Sequence, residues 1–210
     1  MYKFFGIVFE IFFKSKYLFL IAVEQTLNEE MKKILLIAII ILGIKSGFSQ
    51  KYYTEIGVTE FDGSKAAFEP IKAINKNTTS IIDFKTGNVA AVIIINQFEF
   101  RLRLMQEHFN ENYLESNIYP RSTFEGKIIN FNDITENFKN YQITGNLTIK
   151  GVTKEINTTA LIRKEKNKVE LMSNFSVMLS DFGVKIPKIV FKKIDEEVKI
   201  NLNFIYDEKN

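Results

Sequence analysis

From Tyr141 onward the chain alternates. Tyr141, Ile143, Gly145, Leu147 and Ile149 are apolar or small, and Gln142, Thr144, Asn146, Thr148 and Lys150 stand between and after them. Successive side chains of a strand point to opposite faces, so a period of two predicts a strand with one buried face and one wet face. The pattern returns after Gly151 in Ile156, Thr158, Ala160 and Ile162, and after the charged loop 164–168 in Val169, Leu171, Ser173, Phe175, Val177 and Leu179. Val198, Ile200, Leu202, Phe204 and Tyr206 repeat it near the end of the chain. Four such strands, joined by short loops or by the corner at 181–187, form an antiparallel meander.

The preceding half is less regular. A first strand is expected at 56–62, ended by Asp62-Gly63, and a hairpin from 79–85 and 89–95 around Thr86-Gly87-Asn88. Phe98, Phe100 and Leu102 read as a continuation of strand. Leu102, Met105, Phe109 and Tyr113 then fall at helical spacing and predict a helix over 101–115, which Pro120 keeps from running on. Strand resumes at 121–130, with Phe124, Gly126 and Ile128 on one face and Thr123, Glu125 and Lys127 on the other. About eight strands and one helix result. An all-antiparallel chain of this size manages its edges by closing into a sandwich or a barrel.

The residue inventory excludes much chemistry. There is no cysteine and one histidine, which removes disulfides, thiolate metal sites, a cysteine nucleophile and any histidine cluster. That histidine, His108, stands between Glu107 and Phe109 with Glu111 beyond, and without a second histidine the spacing falls short of a helical zinc-protease motif. It reads as a hydrogen-bonded structural residue. Asp181, before Phe182-Gly183, reads as a turn aspartate, and Asp195-Glu196-Glu197 as a solvated loop before the last strand. No catalytic set, metal site or cofactor motif emerges. Lysine and arginine number 28 against 25 acidic residues, a net charge of +3 that gives no basic surface for nucleic acid. A binding or structural protein remains, with 20 phenylalanines and 8 tyrosines to bury.

Residues 31–49 are expected to be a signal peptide. Lys32 and Lys33 form a positive head, 34–44 is an uninterrupted apolar run, and Gly47 and Ser49 supply the small residues of a cleavage site. Cleavage after Ser49 makes Gln50 the first mature residue and delivers the domain to the periplasm or beyond. Residues 1–30 are apolar but broken by Glu10, Lys14 and Lys16, so they make no clean spanning segment. They read as a leader upstream of the true start at Met31, with a two-limbed membrane hairpin as the alternative. Residues 1–49 hold six basic and four acidic residues, leaving 22 against 21 in the mature domain, 50–210, and a net charge of +1. Without cysteine, an exported domain relies on closure of its sheet rather than on disulfides.

Three segments in order resemble the YceI-like family of exported bacterial proteins. The first is Glu107-His108-Phe109-Asn110-Glu111-Asn112-Tyr113-Leu114-Glu115-Ser116, leading to Tyr119-Pro120 and Thr123-Phe124. The second is Gly145-Asn146-Leu147-Thr148-Ile149-Lys150-Gly151-Val152-Thr153-Lys154. The third is Asp181-Phe182-Gly183-Val184 before Pro187, followed by Asp195-Glu196-Glu197-Val198-Lys199-Ile200. The resemblance spans roughly 55–206. It implies a lipocalin-like barrel of eight antiparallel strands with a capping helix near one mouth, holding a polyisoprenoid or fatty amphiphile, without catalytic activity. The early family strand usually ends its alternation in histidine; 51–61 has none, which marks a divergent branch.

Eight strands enclose an interior that side chains can fill or that can hold one slim ligand. Alternation places Phe124, Ile128, Ile143, Leu147, Ile149, Phe175, Val177, Ile200 and Leu202 on the inward face, as the residues expected to contact lipid. A polar head group would then sit at the mouth. A filled core serving as a protein-interaction module in the envelope is the alternative, and an enzyme acting on lipid a remote third reading. Periodicity does not separate hollow from filled. Nor does it set the oligomeric state, which leaves a homodimer open.

Overall fold

The computed structural model describes residues 31, 33, 34, 51–65, 69–187 and 193–209. The expected leader at 1–30 lies outside the described residues, as does nearly all of the expected signal peptide. The chain divides into two compact units, 1–48 and 49–210.

That second unit contains β1 (Lys51–Ser64), β2 (Lys72–Asp83), β3 (Asn88–Ile94), β4 (Glu99–Phe100), α1 (Arg103–His108), β5 (Arg121–Ile128), β6 (Lys139–Ile149), β7 (Val152–Glu165), β8 (Lys168–Met178) and β9 (Ile194–Glu208). Every pairing is antiparallel. The order around the sheet is β1-β9-β8-β7-β6-β5-β3-β2, and β1 also pairs with β2, so eight strands close on themselves. The fold is the expected lipocalin-like barrel. Closure leaves none of these eight with an open edge, which is how the domain holds together without disulfides. β4 adds two residues alongside β2, opposite Ala73 and Ile74.

The meander after residue 139 matches its alternation. β6 and β7 pair in register from Lys139↔Ile162 to Ile149↔Val152, and Lys150-Gly151 makes the two-residue turn with φ of 49° and 74°. Two successive positive φ values are the geometry that matches strand twist in a tight hairpin, and glycine adopts it without Cβ strain. A Cβ on Gly151 would also come within 2.7 Å of the Tyr119 ring. Gly151→Ala is expected to lower unfolding stability by ~1–2 kcal/mol, measured by urea denaturation.

Elsewhere the boundaries move for identifiable reasons. β1 starts at Lys51 rather than 56, with register irregularities between Thr54 and Thr59. β2 begins at Lys72 rather than 79; its inward residues Ala73, Asn75 and Thr78 are small or polar and present no apolar alternation. Strand does not run on through Phe98. Ile94 and Ile95 are diverted, Ile94 O accepting from Asn75 Nδ2 at 3.0 Å and Ile95 N donating to Pro120 O at 2.9 Å, and a 3-10 turn follows. The expected helix over 101–115 is a single α segment, α1, continued by a π-helical turn over Phe109–Tyr113. It ends where Glu115 takes a positive φ of 50°, before Pro120 acts. Asp195-Glu196-Glu197 is not a loop, because β9 starts at Ile194 and carries the three acidic residues at its half-buried to exposed beginning.

Two buried clusters divide the interior. Tyr52, Ile82, Ile128, Ile162, Val169 and Tyr206, none more than 2% exposed, pack one end of the barrel into a solid plug. Over it the Lys164 ammonium lies 4.6 Å from the Phe84 ring centroid and 4.8 Å from that of Tyr52. The second cluster, with Ile95, Leu114, Val177, Phe182, Val184 and Val198, lies at the other end, beneath α1 and the turns. Glu115 pairs with Lys150 at 2.5 Å and ties the end of this helical cap to the β6–β7 hairpin.

Candidate functional site

Between plug and cap lies a cavity of about 490 Å3. That falls within the range of about 300–1,000 Å3 used by small-molecule sites. The wall from β3 to β9 is largely apolar, including Val89, Ala91 and Ile93 on β3 and Leu171 and Phe175 on β8. Under α1, Phe61, Phe98, Phe100 and Phe109 form an aromatic cluster with ring centroids 5.0–5.6 Å apart. The barrel is hollow in this region, which alternation alone left undecided.

Glycines make room for two of the rings. Gly126 and Gly145 face each other across β5 and β6, and the Phe124 ring rests over both. A Cβ on Gly126 would stand 2.6 Å from Phe124 Cζ, and one on Gly145 2.7 Å from the same atom. Phe204 rests likewise against Gly57, where a Cβ would meet its Cδ1 at 2.6 Å. Rings of this size settle in the space that the missing side chains leave along the wall.

Of the nine residues expected to face inward and contact lipid, Phe124, Ile143, Leu147, Ile149, Phe175, Ile200 and Leu202 line the cavity. Ile128 does not. It lies at the end of β5, fully buried in the plug below the cavity floor. Val177 packs in the cluster under the cap and is not part of the lining. Sequence reasoning passed over the contributions of β1 to β3, where Thr59, Phe61, Ser80, Val89, Ala91 and Ile93 line the wall. Phe204 and Tyr206 also line it, and the alternation that singled out Ile200 and Leu202 runs on through both.

The two ends of the cavity differ in chemistry. At the floor, where the lining merges with the plug, Ser80 Oγ donates to Ala90 O at 2.8 Å and stands 2.9 Å from the Tyr206 hydroxyl. Burial pushes the Tyr206 phenol well above its ordinary pKa, so it keeps its proton at physiological pH. The other end opens beside α1, where the lining residues Leu102 and Leu104 are 38% and 61% exposed. Glu69, His108 and Lys193 reach the lining there too and are exposed, with Glu69 held by Arg101 at 2.7 Å. His108 has no oriented partner set around it among the described residues, and no group of three metal-ligating side chains occurs among them. The arrangement can enclose an apolar chain.

The YceI-like domain model matches residues 47–206, all of the barrel but the last two residues of β9. The chain belongs to the YceI-like family. Solved structures agree with its fold. A polyisoprenoid-binding domain from Saccharophagus degradans, implicated in plant cell wall breakdown, superposes with a TM-score of 0.67 at 11% identity, over 77% of this chain and 99% of that one. BcnA of Burkholderia cenocepacia gives 0.60 at 17% identity, over 70% and 95%. The Campylobacter jejuni YCEI protein gives 0.55 at 19% identity, over 70% and 90%. No curated protein matches the chain. At these identities the shared property is the barrel, and the YceI-like chain described here has its own lining.

Proposed function

We propose that this YceI-like chain is an exported, non-catalytic binding protein that holds an isoprenoid or similar amphiphilic lipid in its barrel. The observation that carries the reading is the apolar cavity of about 490 Å3, with Phe124 and Phe204 accommodated on glycines along its wall. Burying a chain there is driven by apolar area, at about 25 cal/mol per Å2 removed from water. The polyisoprenoid-binding domain from Saccharophagus degradans has the same fold, and its ligand class is consistent with this lining. Export rests on the lysine head, apolar run and small residues of 31–49.

Capacity bounds the ligand. The cavity of about 490 Å3 is of the size used by small-molecule sites, and a polyisoprenoid too long for it would extend past Leu102 and Leu104. Protein purified from its native host without detergent is expected to yield one chain-bearing lipid per barrel on organic extraction and mass spectrometry. An extract without lipid, from protein that melts cooperatively, would count decisively against the reading.

A further inference from the structure

Resting on that reading, the distribution of polar groups points to how the ligand sits. Polar groups stand not only at the mouth but also deep in the barrel, on the floor of the cavity. Thr54, Thr59, Asn75, Thr78 and Ser80 are all buried on the inward faces of β1 and β2, none more than 4% exposed. Thr59, Ser80, Ser173 and Tyr206 carry hydroxyls into the cavity lining. Thr59 and Ser173 flank Leu202 across adjacent strands, just above Gly57 and Leu171. Ser122, at the start of β5, is a lining hydroxyl toward the other end. The opening itself is bordered by Leu102, Leu104, Met105, Phe100 and Phe109 together with the exposed side chains of Glu69, His108 and Lys193.

Hydrogen-bond capacity at the floor is only partly used. Ser80 gives its single proton to Ala90 O, so the 2.9 Å contact with Tyr206 must be donated by the phenol. The Tyr206 oxygen therefore keeps its acceptor capacity. Thr59 and Thr78 share one hydrogen bond, 2.8 Å between their hydroxyl oxygens, and have two protons between them. One of those protons has no acceptor among the described residues. A buried donor without an acceptor is costly, and a ligand atom that accepts from it removes the cost. Thr78 and Ser80 are two residues apart on one face of β2, which puts the two hydroxyl pairs next to each other along that strand. No charged side chain lines this end, so a phosphate or carboxylate anion would be desolvated without a counter-charge.

We infer that the lipid enters polar end first, with an uncharged group that both donates and accepts, a hydroxyl above all, held at Thr59–Thr78 and Ser80–Tyr206, and its hydrocarbon tail directed past α1. The test measures displacement of a fluorescent fatty probe by 1-dodecanol and by dodecane in the wild-type protein and in Thr59→Val, Tyr206→Phe and His108→Ala variants, with melting curves as a check on folding. The ratio of dodecanol to dodecane affinity is expected to fall about tenfold in Thr59→Val or Tyr206→Phe and to stay unchanged in His108→Ala. Using two floor variants keeps the test intact if one of them misfolds. A ratio unchanged in the folded floor variants, or one that falls in His108→Ala instead, overturns the orientation and leaves the lipid-holding reading standing. Displacement by neither ligand overturns the lipid-holding reading and the orientation with it.

Discussion

Ala91→Trp is expected to weaken lipid binding by more than about 100-fold while leaving the melting temperature unchanged or raised. Ala91 lies on β3 between Ser80 of β2 and Phe124 of β5, and all three line the cavity. An indole here grows into the lumen, where it meets open space instead of packed atoms. The size of the effect follows from area: 100-fold is ~2.7 kcal/mol, the burial of about 110 Å2 of ligand at ~25 cal/mol per Å2. A tryptophan displaces at least that much of a chain. The opposite signs matter more than either number. Inserting bulk into a tightly packed core costs ~1–3 kcal/mol, whereas filling a cavity costs nothing and adds buried apolar contact. Titration with a fluorescent fatty probe reads the first quantity and thermal melting the second. A variant that binds as the wild type does, or one that is destabilised like an overpacked core, would sink the idea that this lumen is where lipid sits.

Much of this architecture is legible in the sequence because the strands from β6 to β9 each have one wet and one apolar face. Their alternation fixes register as well as type, since a slip of one residue would turn Ile143, Leu147 and Ile149 outward. The signal fails on the early part of β2, and the reason is functional as much as structural. Asn75 and Thr78 are fully buried, yet they satisfy one another's neighbourhood through hydrogen bonds to Ile94 O and to Thr59. A buried polar face looks like a loop to a reading that equates inside with apolar. Depth was equally hidden. Ile128 and Phe124 share a face of β5 and differ by two inward steps, but one belongs to the plug and the other to the cavity wall. Alternation tells which way a residue points and is silent about its height along the barrel. Hollowness depends on how far Phe124 and Phe204 can recede, which is set by glycines on other strands, Gly145 and Gly57.

Those glycines carry the second large prediction. Gly145→Val is expected to destabilise the barrel by at least ~3 kcal/mol, at or above the upper end of overpacking costs. A Cβ at this position would lie 2.4 Å from Glu125 O and 2.5 Å from Gly126 Cα, so the clash is with the backbone of β5 as well as with the Phe124 ring. Backbone held in a closed barrel has no edge toward which it can move. For a domain of this size ~3 kcal/mol corresponds to a fall in melting temperature of about 6–12 °C. Adding Phe124→Ala removes the ring but leaves the two backbone contacts, so the double variant should recover only part of the loss. A double-mutant cycle isolates the share due to the ring. Full recovery would mean that the ring alone needs the glycine and that the strands can part. A Gly145→Val protein within ~1 kcal/mol of the wild type would mean that β5 and β6 are not held this closely. The glycine pair would then not be what accommodates Phe124 against the wall.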